Sequence, residues 1–287
     1  MDKQIYNKTI DIDGISIFYR EAGNKENPTL LLLHGFPTSS LMFKNLMIAL
    51  SGKFHLIAPD YPGFGFSDFP KTSDFEYSFQ NISECMNKFT DAIGLKSFTI
   101  YLHDYGCLIG LRICVASPEK IERIIIQNGH AYMECIGPQW KEMIEYWENP
   151  TEEKKKKLYS FLSKEGTEEQ YKAGLPEELL TRVSPESWIV DWERMSRPGN
   201  LDMQYKLNCT YYTNFEMFPV FQDYFRKHQP PAIIILGKLD VYYDLPEAYC
   251  YQKDLPEATI HILDGGHMVL ETNFNGVSEL IENFMTQ

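Results

Sequence analysis

Apolar and polar positions fall into two regimes along the chain. In the first, short apolar runs alternate with stretches of helical spacing. Thr29-Leu30-Leu31-Leu32-Leu33, Phe54-His55-Leu56-Ile57-Ala58, Phe98–Leu102 and Ile121–Gln127 have strand length and carry few polar breaks. This is the pattern of strands buried on both faces. Helical spacing over Ser40–Leu50 and Ser83–Ile93 separates them. Ahead of these, Lys8–Ile12 and Ile15–Arg20 flank Asp13-Gly14, a hairpin signal. From about His130 to Gln229 the second regime sets in. Aromatic and charged residues recur at helical spacing, and breakers fall at Gly137-Pro138, Asn149-Pro150, Leu175-Pro176, Ser184-Pro185 and Arg197-Pro198-Gly199. Strand-like runs return at Pro231–Gly237 and Thr259–Leu263, and a last helix is expected over about Val277–Met285. The pattern predicts an α/β fold with a mostly parallel, twisted sheet flanked by helices. Its core is expected from residues 1–129 and 230–287, with residues 130–229 forming an inserted helical cap.

Composition narrows the picture. The 287 residues are 44% hydrophobic and 23% charged, and carry a formal charge of −13. That charge argues against nucleic acid or an anionic membrane as partner, since both select clustered positive charge. No apolar run reaches the ~18 residues of a membrane span. Met1-Asp2-Lys3-Gln4-Ile5 lacks the apolar stretch of a secretory signal. Six cysteines lie scattered with no C-x-x-C pair, and are expected to be reduced thiols of a cytoplasmic protein.

Chemistry concentrates at strand ends, where open α/β sheets gather their ligand sites. Leu102-His103-Asp104-Tyr105-Gly106 joins an apolar strand to an apolar helix through a sharp turn. In serine hydrolases such a turn lifts the nucleophile above the sheet edge. The raised residue here is Asp104. A carboxylate is ionised at neutral pH and attacks without help from a base. It suits displacement at a saturated carbon, leaving an ester that water must cleave. His267, in Asp264-Gly265-Gly266-His267, is placed to act as the base for that water. Asp240, in Gly237-Lys238-Leu239-Asp240, is the candidate to orient His267, with Asp244 as a rival. In His34-Gly35-Phe36-Pro37, the Phe36 amide could join that of Tyr105 around a developing oxyanion.

The chain order of nucleophile, acid and histidine, together with Pro59-Asp60-Tyr61-Pro62-Gly63-Phe64-Gly65-Phe66-Ser67-Asp68, resembles α/β-hydrolase fold proteins of the epoxide hydrolase and haloalkane dehalogenase branch. Leu102 departs from the small residue often found two before the nucleophile. The resemblance implies Asp104 as nucleophile, His267 as base, Asp240 as its partner and a cap over the site. For an epoxide it also implies two cap tyrosines as acids. Tyr211, in Thr210-Tyr211-Tyr212-Thr213-Asn214, and Tyr171, in Glu169-Gln170-Tyr171-Lys172, stand at the matching places. For a halide it implies an indole after the nucleophile and a polar side chain after His-Gly. Tyr105 and Phe36 occupy those positions, so an indole N–H would have to come from Trp140, Trp147, Trp188 or Trp192. His34, His103, Trp140 and Trp188 are candidate substrate contacts. No cofactor and no metal are expected, because the seven histidines show no metal-ligand spacing. The expected partners are a small apolar substrate and water, on a monomer or homodimer. An epoxide hydrolase is the leading reading, a dehalogenase the second, and a non-catalytic binding protein the third.

Overall fold

A computed structural model of the chain describes residues 4–287; the signal-sequence reading at Met1–Lys3 lies outside them. Eight strands form one sheet: β1 (Ile5–Ile12), β2 (Ile15–Ala22), β3 (Thr29–Leu33), β4 (His55–Pro59), β5 (Phe98–His103), β6 (Ile121–Gln127), β7 (Ala232–Gly237) and β8 (Thr259–Leu263). Their order is β1-β2-β4-β3-β5-β6-β7-β8. The β1–β2 hairpin and the β2–β4 pair are antiparallel, and every other neighbour pair is parallel. The mostly parallel α/β sheet read from the sequence is the one found.

Alternation within the apolar strands builds two cores. Leu31, Leu33, Ile100, Leu102, Ile124 and Ile126 face one helical layer. Leu30, Leu32, Tyr101, Ile125, Ile233 and Ile235 face the other. The first layer holds α2 (Phe79–Ala92) and α3 (Tyr105–Ala116); the second holds α1 (Lys44–Leu50) and the C-terminal helix. Ser78 caps α2 through its hydroxyl, which accepts from the Asn81 amide. Buried residues wrap nearly the whole of α3, so this helix sits inside the protein rather than on its surface. The first half of the expected helix Ser40–Leu50 is a 3-10 turn, Ser40–Phe43, that runs into α1.

Between β6 and β7 there is no strand. The segment folds as α4 (Lys141–Glu148), α5 (Glu152–Leu158), α6 (Lys164–Lys172), α7 (Glu177–Leu180), α8 (Pro185–Met195), α9 (Asn200–Cys209) and α10 (Thr213–His228). After β7 come α11 (Leu245–Cys250), α12 (Val269–Thr272) and α13 (Phe274–Thr286). No helix among the described residues is long and apolar enough to cross a membrane.

The expectation of six reduced cysteines needs correction. Cys135 and Cys250 form a disulfide with Cα atoms 6.6 Å apart, while Cys85, Cys107, Cys114 and Cys209 are free. The pair is 115 residues apart in sequence and obeys no local spacing. It is made by packing of the segment that leaves β6 against α11, where Tyr132 also bonds Asp254.

Leu102 is accommodated by a glycine on the facing helix. A Cβ at Gly110 would lie 2.1 Å from the Leu102 Cδ2 atom and 3.0 Å from Leu33 Cδ1. The larger side chain two residues before Asp104 is matched by the smallest one behind it. Gly110→Ala should therefore cost about 1–3 kcal/mol by overpacking. Leu102→Ala should cost about 2–5 kcal/mol by opening a cavity. Urea denaturation of the double variant should show a loss smaller than the sum, because the two sites share one space.

Candidate active site

Parallel register brings five strand ends to one edge. Leu33 pairs with Leu102, and His103 with Gln127. The residues just beyond them, His34–Phe36, Asp104 and Asn128, thus meet above the sheet. Asp240 and His267 follow β7 and β8 onto the same edge.

Asp104 sits at the turn between β5 and α3 with φ 51° and ψ −117°. Such backbone is costly for a residue with a Cβ and persists only where its surroundings enforce it. Part of that enforcement is contact with Gly35, where a Cβ would fall 2.5 Å from the Asp104 Cβ. With no side chain at 35, the loop after β3 closes on the carboxylate. The Phe36 amide then donates to Asp104 Oδ1 at 2.7 Å. The Tyr243 hydroxyl donates to Oδ2 at 3.0 Å. Tyr105 is the first residue of α3, so its amide is one of the unpaired donors of a helix start.

His267 Nδ1 lies 2.9 Å from Asp240 Oδ2. Asp240 is itself held by the Tyr242 amide on Oδ1 and by the Asn128 side chain on Oδ2. Burial alone would lower the His267 pKa. The charge and hydrogen bond of Asp240, with the Asp104 charge, outweigh it and hold the imidazole above its usual 6.5. Asp244 is not the partner; it begins α11, and its amide donates to Glu247.

Asp104 and His267 open onto one cavity of about 290 Å³. Inserted helices supply much of the opposite wall, through Trp140, Met143, Leu158, Phe161, Gln170 and Asn208. Two phenols also line it, Tyr105 and Tyr242. Each accepts from an inserted amide: Tyr105 from Asn208 at 3.0 Å, Tyr242 from Gln170 at 2.9 Å. Each hydroxyl therefore keeps its own proton to donate. Burial and nearby negative charge raise both pKa values, so both stay protonated.

Other expected contacts sit elsewhere. Tyr211 is fully buried, and its hydroxyl lies 2.8 Å from His130 Nε2, away from the cavity wall. Tyr171 donates to Asp191, in a separate cluster with Trp188 and Met268. Both hydroxyls are engaged by other buried side chains, and neither tyrosine lines the cavity. Trp188 leaves the cavity with Tyr171, where Lys172 stacks on its ring. Trp140 does line the cavity, but its indole N–H donates to the Tyr242 carbonyl at 2.8 Å. His34 and His103 are fully buried beneath the site rather than in its wall. His34 stacks on Tyr61 with ring centroids 3.9 Å apart, and burial pushes its pKa down to about 4. His103 bonds Gln127 and packs beside His267; burial holds its pKa well below the usual range. Tyr242, Tyr243, Asn128, Gln170 and Asn208 were not foreseen. Asn128 and the two tyrosines had a signal, since they follow β6 and β7 at the ligand-bearing edge.

Charge coupling in the site gives a titration prediction. The His267 pKa, followed by NMR, should lie above 6.5 and fall in both Asp240→Asn and Asp104→Asn, because each removes a negative charge that favours the imidazolium. An unchanged value in Asp104→Asn would show that the two groups do not share a site.

Comparison with known proteins agrees with this architecture. The profile of the α/β hydrolase fold family matches residues 28–274. The uncharacterized hydrolase YNR064C of Saccharomyces cerevisiae is 36% identical over 273 residues, 94% of this chain and 93% of that protein. A haloalkane dehalogenase of Mycolicibacterium paratuberculosis is 32% identical over 120 residues, 42% of this chain and 40% of its own. A laboratory-evolved variant of the potato epoxide hydrolase StEH1 superposes with a TM-score of 0.79 at 18% identity, over 99% of each chain. The chain is a hydrolase of the α/β hydrolase fold family.

Proposed function

We propose that the protein is an epoxide hydrolase acting on small apolar epoxides through a covalent ester of Asp104. The observation that carries this reading is the single cavity shared by a carboxylate, a histidine–carboxylate pair and two proton-bearing phenols. Asp104 attacks the less hindered ring carbon and breaks its bond to the ring oxygen. That oxygen leaves as an alkoxide and takes a proton from Tyr105 or Tyr242, which replace Tyr211 and Tyr171 as the acids. His267 then removes a proton from water, which adds to the ester carbonyl carbon. The Phe36 amide, already on Oδ1, stabilises the oxyanion. The apolar wall of Phe36, Trp140, Met143, Leu158 and Phe161 suits an uncharged, apolar ligand.

Halide displacement has weaker support. A departing halide needs only donors, and an indole would serve, but the Trp140 N–H is already engaged by the Tyr242 carbonyl.

Styrene oxide and 1,2-epoxyhexane should label Asp104 in the His267→Gln protein, where the ester forms but is not cleaved. Intact-mass and peptide mass spectrometry would read the adduct, and absence of label from both would defeat the covalent mechanism. In the unaltered protein, diol formation should exceed halide release from 1-bromohexane. Changing both Tyr105 and Tyr242 to Phe should lower the rate of diol formation by roughly a hundredfold or more, the usual scale of general acid catalysis. A doubly changed protein as active as the parent would remove both phenols from the reaction.

A further inference from the structure

The closed side of Asp104 holds groups that the reaction so far leaves idle. Tyr243 is buried, donates to Oδ2, and stacks on His267 with the two rings 2° from parallel and their centroids 5.7 Å apart. Its ring also packs against that of His130, with centroids 5.1 Å apart. Tyr211 in turn lies 2.8 Å from His130 Nε2, and His130 Nδ1 lies 2.9 Å from Glu247 Oε2. The His130 and Glu247 side chains are each 1% exposed. Glu247 is fixed through its other oxygen by the Asp244 amide. A second histidine–carboxylate pair thus stands behind Asp104, with Tyr243 between them. Burying so many polar groups is costly unless they are satisfied, and here the Tyr243 hydroxyl meets the carboxylate oxygen itself.

The two Asp104 oxygens have different partners, and the difference assigns their roles. Oδ1 meets a backbone N–H that cannot turn away, as an oxyanion requires. Oδ2 meets a hydroxyl, and is therefore the oxygen that becomes alkylated. Resting on the covalent reading above, we propose that Tyr243 is a further catalytic residue, which protonates Oδ2 as the product departs. His130 packs on its ring, and Tyr211 and Glu247 hold the two nitrogens of His130, so these three are positioning residues for Tyr243.

The step balances within the site. Water adds to the Asp104 carbonyl carbon while His267 takes one of its protons, and Oδ1 carries the charge. Collapse re-forms the carbonyl and breaks the bond from that carbon to Oδ2. The electron pair stays on Oδ2, which takes the Tyr243 proton and leaves as the product hydroxyl. The new carboxyl, whose hydroxyl came from water, returns its proton to the Tyr243 phenolate. The proton on His267 goes back to the phenol that protonated the ring oxygen. Nothing from outside the protein is consumed except water.

Tyr243→Phe keeps the ring against His267 and removes only the hydroxyl. Quench-flow with styrene oxide should show ester formation changed less than about twofold and ester breakdown slowed by roughly a hundredfold. The Asp104 ester should then accumulate at steady state. With trifluoromethyl-substituted epoxypropane, whose departing oxygen is less basic, the deficit should shrink. Equal slowing of both steps, or a deficit insensitive to that basicity, would overturn the proposal. Should Tyr243→Phe fail to fold, Tyr211→Phe tests the same proposal. It should slow breakdown alone, by about two- to fivefold, and unchanged breakdown there would also overturn it. If His267→Gln takes up no label from styrene oxide, the covalent reading falls first. Labelled His267→Gln with normal breakdown in Tyr243→Phe defeats Tyr243 alone.

Discussion

The hydrogen bond from the Phe36 amide to Asp104 joins the ends of two neighbouring parallel strands through a carboxylate. It requires the turn after β3 to lie almost against the Asp104 Cβ, which only a glycine at 35 permits. It also requires Asp104 to hold a backbone conformation that an isolated chain would avoid. The rest of the sheet enforces that conformation. Strands buried on both faces fix the register, and the register fixes which side chains crown the edge. Stability of the core and geometry of the site are in this sense one problem. Loosening Leu33 or Leu102 would move the atoms that hold the carboxylate.

Two histidine–carboxylate pairs flank Asp104 and differ in their surroundings. His267–Asp240 opens on the cavity, where a water molecule can reach the imidazole. His130–Glu247 is sealed among aromatic rings, with Trp140, Phe218 and Tyr243 against His130. Chemically similar pairs thus have different work available to them. One can exchange protons with solvent, while the other can act only through its hydrogen-bonded neighbours.

Much of this was legible in the sequence because it depends on short-range pattern. Thr29–Leu33 and Phe98–His103 read as buried strands, and their ends then nominate His34–Phe36 and Asp104. Asp240 and His267 follow from the same rule at β7 and β8. Tyrosine roles did not follow, for a physical reason. The chain has 18 tyrosines, and a phenol serves equally as packing, as donor or as acceptor. Which role each plays depends on partners distant in sequence: Asn208 for Tyr105, His130 for Tyr211, Asp191 for Tyr171. Local periodicity places a tyrosine on a helix face but cannot report which buried group its hydroxyl meets. The Cys135–Cys250 pair escaped for the same reason.

Tyr242 is gripped from above. Gln139 and Trp140 both donate to its carbonyl, and Gln170 donates to its hydroxyl. Its amide, on the opposite side, is one of the donors on Asp240. Lifting the inserted helices to admit a ligand would pull on the residue whose amide steadies Asp240, the partner of His267. Entry would therefore be geared to the site: opening that wall would slacken the hold on Asp240, and shutting it would draw Asp240 and His267 taut around whatever had been enclosed.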